Sequence, residues 1–158
     1  MQISPIGTIY TPFKEIGNMP IQPSGARGVS GQIVLRPELV NGLADLDGFS
    51  HIIVLFLLHR VVTINLTVTP FLDPEPHGVF ATRAPTRPNP IGFSILELKK
   101  ITGNILQVEN IDILDSTPLL DIKPYVPEFD QPEGPVQIGW LQNSKNSSQS
   151  TRSDQRFG

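Results

Sequence analysis

The 158-residue sequence predicts a mostly β, single-domain protein, a barrel or a sandwich, with one short helix. Three observations carry that expectation. Sixteen prolines and thirteen glycines interrupt any long helix, because a proline has no amide proton to give to a helix interior. Short runs of strand length recur along the chain with turn residues between them. A hydrophobic content of 39% suffices for a core at this length without a disulfide or a structural metal.

Taken in order, IGTIYTP (6–12) opens as a strand, and NMPIQPSGARG (18–28) is a loop by its proline, glycine and serine content. VSGQIVLRP (29–37) is a second strand, ended by Pro37. PELVNGLADLDGF (37–49) is the one helical candidate, of a turn or two, with proline suited to the first turn and Leu39, Leu43 and Leu46 at helical spacing. HIIVLFLLHR (51–60) is continuously apolar at strand length, which predicts a central strand buried on both faces. TINLTVT (63–69) alternates with period two and predicts a strand with one wet face. IGFSILELKKI (91–101) and NILQVENIDIL (104–114) flank Gly103 as a hairpin. DSTPLLDIKPYVP (115–127) reads as a proline-bracketed loop with a short strand at most. These elements make one domain, residues 1–140. After Trp140 only two of eighteen residues are apolar, which predicts a polar, disordered tail over 141–158.

With no cysteine, a thiolate nucleophile or thiolate metal site is excluded. Histidines 51, 59 and 77 lack the spacing of a helical zinc site, so no metal is expected. The chain has no Gly-x-Gly turn, phosphate loop or Gly-x-Ser-x-Gly elbow. No basic, apolar leader opens it and its longest apolar run is too short for a bilayer, so a soluble cytoplasmic protein is expected, away from membranes. The net charge is −3, but unevenly spread. From 77 to 100, Arg83, Arg87, Lys99 and Lys100 face Glu97 alone, whereas from 109 to 133 seven acids face Lys123. Such a chain suits one anionic ligand in one place.

Four clusters can carry chemistry. In VFATRAPTRPNPIGFS (79–94), Pro85, Pro88 and Pro90 hold the preceding residues extended. Arg83, Arg87, Asn89 and Phe93 are then placed to share a face and meet an anion that carries a flat base. The competing reading is a stiff loop whose arginines cap carbonyls or pair with Asp73 and Glu75. IQPSGARG offers Gln22, Pro23, Ser24 and Arg27 in a loop whose bare amides suit an anion; a plain surface loop fits as well. His59 and Arg60 end the most apolar strand, where His59 is placed to act as a base near neutral pH. In NIDILDSTPLLDIKPY, Asp112, Asp115 and Asp121 have carboxylates suited to general-base work, with Lys123 and Tyr125 nearby; Asp-Ser-Thr-Pro is equally an ordinary turn.

GVFATRAPTRPNPIGFSILEL (78–98), the strand ending in His59-Arg60, DSTPLLDIKPYVP (115–127) and the opening SPIGTIYTPFKE (4–15) together resemble the TsaA-like, or TrmO, family. The resemblance covers residues 4–127. It implies a single antiparallel β-barrel and an S-adenosylmethionine-dependent tRNA methyltransferase acting on the N6 nitrogen of threonylcarbamoyladenosine beside the anticodon. It also implies a homodimer with the cofactor near the subunit interface. Carried over, the cofactor contacts fall on Gln22, Pro23, Ser24, His59, Arg60, Arg83, Phe93, Asp115, Ser116, Thr117 and Pro118. Arg87, Asn89 and Lys123 fall to the substrate, and the proton-acceptor candidates are Asp115, Asp121, His59 and Tyr125. Another acceptor, an RNA base or a small molecule, and a non-enzymatic S-adenosylmethionine-binding module stand as the alternatives. Longer members carry an additional C-terminal domain, where this sequence has its polar tail.

Overall fold

The computed structural model describes residues 2–157. Six strands close into an antiparallel barrel: β1 (Gly7–Tyr10), β2 (Ser30–Leu35), β3 (His51–Leu57), β6 (Ile91–Thr102), β7 (Ile105–Glu109) and β8 (Thr117–Pro124). Around the barrel they run β1-β2-β7-β6-β3-β8, and β8 returns to β1. A separate two-stranded ladder joins β4 (Thr67–Val68) to β5 (His77–Gly78).

Period-two alternation builds the core. Ile9, Ile33, Ile52, Val54, Leu96, Leu106, Val108 and Leu119 are all fully or almost fully buried and pack as one cluster. β3 lies between β6 and β8, and Ile52, Ile53, Val54 and Phe56 are buried on it, as a strand covered on both faces requires. The expected hairpin forms between β6 and β7, but its second arm ends at Glu109, and residues 110–114 leave the ladder. Gly103 turns it with φ 59°, a left-handed value that glycine adopts without strain. Asn104 then fastens the hairpin end to β2 by donating its amide to the Leu35 carbonyl at 2.6 Å.

Three local expectations change. The helical candidate is two 3-10 pieces, Pro37–Leu43 and Leu46–Gly48, broken by Asp45 at φ 65°, and a further single α-turn, α1, forms at Pro127–Asp130. The alternating run 63–69 pairs only at Thr67 and Val68, and Val62, Ile64 and Leu66 project outward at 62–85% exposure. Period two records that the two sides of a strand differ, not which side is covered. Conversely, the loop expected after Asp115 is an eight-residue strand, β8, because its proline positions leave enough amides to pair with β1 and β3.

The polar segment expected to be disordered instead runs back along the barrel. The Asn18 amide donates to the Ser153 carbonyl at 2.8 Å, and the Ser153 amide to the Met19 carbonyl at 2.9 Å. Phe157 packs edge-on against Phe71 with ring centroids 5.2 Å apart, and the Arg156 guanidinium lies 4.8 Å from that ring. Trp140 stacks on His77 and donates its indole N–H to the Ala81 carbonyl at 2.9 Å. Composition misled here because backbone pairing does not depend on side-chain hydrophobicity, and one aromatic anchor holds the end. Replacing Phe157 by alanine should raise hydrogen exchange at the Asn18 and Ser153 amides by about tenfold, the equivalent of a lost aromatic pair of about 1 kcal/mol plus its burial. Unchanged exchange would show that the aromatic anchor does not hold the segment.

Candidate active site

The barrel's antiparallel register brings the end of β3 beside the start of β6, with Leu57 opposite Ile91, and the start of β8 beside β1, with Thr117 opposite Ile9. At this end of the barrel opens a cleft of about 480 Å³. That is the size of a small-molecule site. Its floor is apolar, from Phe56, Leu58 and Ile91. Glycine at position 92 leaves room for the Phe56 ring, which lies over the place a side chain would take.

Four separate stretches of sequence supply its polar groups. From the 79–94 rail come Arg83, Arg87 and Phe93; Asn89 is exposed and lies outside the cleft. The Arg83 guanidinium donates to Gln22 Oε1 at 2.9 Å and lies 5.7 Å from the centroid of Phe93, which fixes it while leaving further N–H groups for a ligand. Arg87 behaves as the competing reading proposed. Its Nη1 donates to the carbonyls of Thr82 and Ala84, both at 3.1 Å, so it stiffens the rail it sits on. Neither arginine pairs with Asp73 or Glu75; Asp73 lies beside His77 and accepts the Glu75 amide.

His59 and Arg60 also line the cleft. His59 Nδ1 sits 3.4 Å from Thr117 Oγ1, and the Thr117 hydroxyl proton is committed to the Leu114 carbonyl at 2.6 Å. Burial, and then the neighbouring Arg60 charge, hold the His59 imidazolium below its ordinary pKa and so favour the neutral ring.

The carboxylates divide by position. Asp112 lines the cleft and accepts a 2.7 Å hydrogen bond from Ser94 Oγ, on the inward face of β6. Burial pushes its pKa up to about 6, with the Ser94 hydroxyl and the Arg83 charge working the other way. Asp115 turns toward β1 instead. Burial opposes its charge, yet Lys14 at 2.7 Å, the Thr11 amide at 2.8 Å and Ser116 hold its carboxyl below the usual range. It fastens the strand after Thr117 to the strand before Thr11 and does not line the cleft. Asp121 pairs with Lys123 at 2.6 Å on β8, opposite the middle of β3. Tyr125 packs against His51 and accepts from Gln131, at the far end of β3. Six residue steps of strand separate His51 from Leu57, about 20 Å, so Tyr125 belongs to no site with His59.

Of the residues expected at the cofactor, Gln22, His59, Arg60, Arg83, Phe93 and Thr117 therefore meet in one cleft. Pro23 and Ser24 line an adjoining hollow, which shares Gln22, Arg83 and Phe93 with the cleft as a common wall. Asp115, Ser116 and Pro118 lie outside both. Four contributors, Ser94 and three residues near the C-terminus, escaped the reading of the sequence. Ser94 is hidden in an apolar strand, where only its inward register against Val54 marks it. Ser153, Asp154 and Phe157 reach the cleft from the polar C-terminal segment and carried no motif at all. Among the described residues no cluster of three His, Asp or Glu side chains is arranged to hold a metal, and no helix is long and apolar enough to cross a membrane.

Known proteins place this architecture. A protein of Pyrococcus abyssi named "Probable S-adenosyl-L-methionine-binding protein" is 52% identical over 97% of this chain and 83% of its own length. The human tRNA (adenine(37)-N6)-methyltransferase is 33% identical over 90% of this chain but only 35% of its own. The crystal structure of TrmO from Pseudomonas aeruginosa superposes with a TM-score of 0.74 at 38% identity, over 89% of this chain and 62% of that one. The family described as the tRNA-methyltransferase O N-terminal domain matches residues 8–131. That match takes in every barrel strand apart from Gly7, and the chain belongs to this family.

Proposed function

We propose that the protein transfers a methyl group from S-adenosylmethionine to the N6 nitrogen of threonylcarbamoyladenosine at position 37 of tRNA. The observation that carries this reading is the meeting of Gln22, His59–Arg60, Arg83, Phe93 and Thr117, far apart in sequence, around one apolar-floored cleft. The cleft's make-up fits the cofactor. Phe56, Leu58 and Ile91 offer an apolar seat, and Arg83 has donors for a carboxylate. When bound, S-adenosylmethionine supplies an electrophilic methyl carbon on a sulfonium.

The chain's own residues then position and exclude. Gln22 and Phe93 hold Arg83 in one orientation, so little entropy is lost when it meets an anion. Arg87 keeps the rail in shape, and Asn89 stands exposed beside it for contact with RNA. Lys123 pairs with Asp121 on β8, outside the cleft, so any part it plays lies with the RNA and not with the cofactor. Val62, Ile64, Leu66 and Phe80 are large apolar residues left in solvent, and a second copy of the chain in a homodimer is the proposed cover. A cytoplasmic location follows from a tRNA substrate and is proposed with it.

The test is incubation with isotopically labelled S-adenosylmethionine and tRNA that either carries or lacks the threonylcarbamoyl group, followed by nucleoside mass analysis. One methyl gained on threonylcarbamoyladenosine alone is expected. Replacing Arg83 by alanine should weaken cofactor binding by about 10- to 100-fold, the value of a charge-assisted hydrogen bond to a carboxylate. Several archaeal relatives are named only for S-adenosylmethionine binding, which favours a binding module as the second reading. Tight binding without transfer to any nucleoside would select it.

A further inference from the structure

We propose that Asp112 is the catalytic proton acceptor for the methylated nitrogen; this rests on the methyl-transfer reading above. Three features single it out. Ser94 Oγ holds one of its carboxylate oxygens at 2.7 Å, and the other takes no hydrogen bond from any other described residue. Arg83, whose charge acts on it, lines the same cleft, so a ligand held by Arg83 shares the cleft with it. Asp115, Asp121 and Tyr125, the other oxygen candidates, all lie outside the cleft with partners of their own.

The acceptor nitrogen sits in a urea-like group with a delocalised lone pair, so loss of its proton has to accompany attack. The N6 lone pair forms the new N6–CH3 bond, and the S–CH3 bond of the donor breaks with its electron pair going to sulfur. The N6 proton passes to the Asp112 carboxylate, which returns it to solvent. Charge decides between Asp112 and His59, the other proton-acceptor candidate in the cleft. A protonated His59 adds a cation beside Arg60 in a site that already holds Arg83, whereas a protonated Asp112 is neutral. The charged and titratable groups on the cleft are His59, Arg60, Arg83, Arg87 and Asp154, and Asp154 is neutralised by Arg156 at 2.7 Å. Arg83 is the one whose charge acts on Asp112, and it favours the carboxylate.

The experiment is a pH profile of kcat/KM and of kcat on modified tRNA for the wild-type protein and for Asp112→Asn, Ser94→Ala and His59→Asn. The acid limb is read from kcat/KM, which reports the free enzyme's groups. Cofactor dissociation constants and a carbon NMR titration of the Asp112 carboxyl in the free protein accompany it. The wild-type rate should fall as pH drops through about 6. Asp112→Asn should lose about 10²- to 10⁴-fold in kcat and lose the acid limb, with cofactor affinity changed by no more than about threefold. Ser94→Ala removes a hydrogen bond to the charged form, so both the limb and the NMR midpoint should move to higher pH together. That variant decides the matter if Asp112→Asn does not fold. His59→Asn should keep the limb. The proposal is overturned if Asp112→Asn loses cofactor affinity in parallel with rate, if His59→Asn abolishes the limb, or if Ser94→Ala moves the NMR midpoint but not the limb. A wild-type protein that methylates no nucleoside would instead overturn the methyl-transfer reading.

Discussion

A Gly92→Ala substitution should cost about 3 kcal/mol of folding stability and lower the melting temperature by about 10 °C, the upper end of what overpacking does in a domain of this size. Gly92 is opposite Phe56 across the β3–β6 ladder, and the Phe56 ring folds over its Cα. A β-carbon there would collide with three atoms of that ring, Cδ2, Cε2 and Cζ. The ring is 6% exposed and set between core residues, so it cannot swing aside without disturbing the cluster. Because Phe56 and Gly92 both line the cleft floor, cofactor binding should weaken as well. Adding Phe56→Leu to the same chain removes the colliding ring and should recover part of the loss. Thermal unfolding of the single and double variants is the check. A melting temperature for Gly92→Ala within about 2 °C of wild type would mean that the ring relaxes freely.

Asp112→Asn should stabilise the fold at pH 7–8 by about 3 kcal/mol even as it removes turnover. The carboxyl rises from an ordinary 3.8 to about 6 on folding, and each pKa unit is about 1.4 kcal/mol. The sign follows from proton counting. Between pH 4 and 6 the folded protein binds a proton at Asp112 that the unfolded chain has released, so stability from this group is full below about 4 and is lost as pH climbs to about 6. An amide keeps the acceptor for Ser94 and has no charge to bury. Subtracting the two urea-unfolding series at each pH isolates this group from Asp115, whose lowered pKa acts in the opposite direction. A difference that does not grow between pH 4 and 7 would show that the carboxylate is better solvated than its setting implies. A gain would be the mark of a charge kept for function at the expense of stability.

How far the sequence reached can be read from particular residues. β3, the hairpin of β6 and β7 up to Glu109 and the barrel's inward leucines and isoleucines were legible, because a run of apolar residues at strand length and a glycine between two such runs are local signals. The arginine rail was legible as proline-stiffened and non-helical in its middle, but its shape was not. A 3-10 turn at Val79–Ala81 leads in. Tight turns, with the Arg87 amide donating to the Pro85 carbonyl at 2.7 Å and the Ile91 amide to the Asn89 carbonyl at 2.8 Å, replace the extended course that the prolines suggested. Nor were the roles of the two arginines legible. Arg83 and Arg87 have the same chemistry and nearly the same context, and what separates them is that the Thr82 and Ala84 carbonyls come within reach of one while Gln22 and Phe93 come within reach of the other.

The carboxylates show the same limit. Asp112, Asp115 and Asp121 lie within ten residues of one another, and by type each is an equal candidate for base. Strand pairing sends them to three places: the cleft, the β1 side and the middle of β8. The polar C-terminal segment, without a hydrophobic pattern, was read as disordered, and backbone pairing to residues 18 and 19 with the Phe157 anchor holds it in place. The amino-acid sequence by itself determined the β class, most of the barrel strands and most of the residue types able to do the chemistry, since these depend on steric and hydrophobic rules acting over a few residues. Only the tertiary structure decided which of them meet, because ring closure of the barrel brings together residues 22, 59, 83, 94, 112 and 153, and no local rule relates positions that far apart.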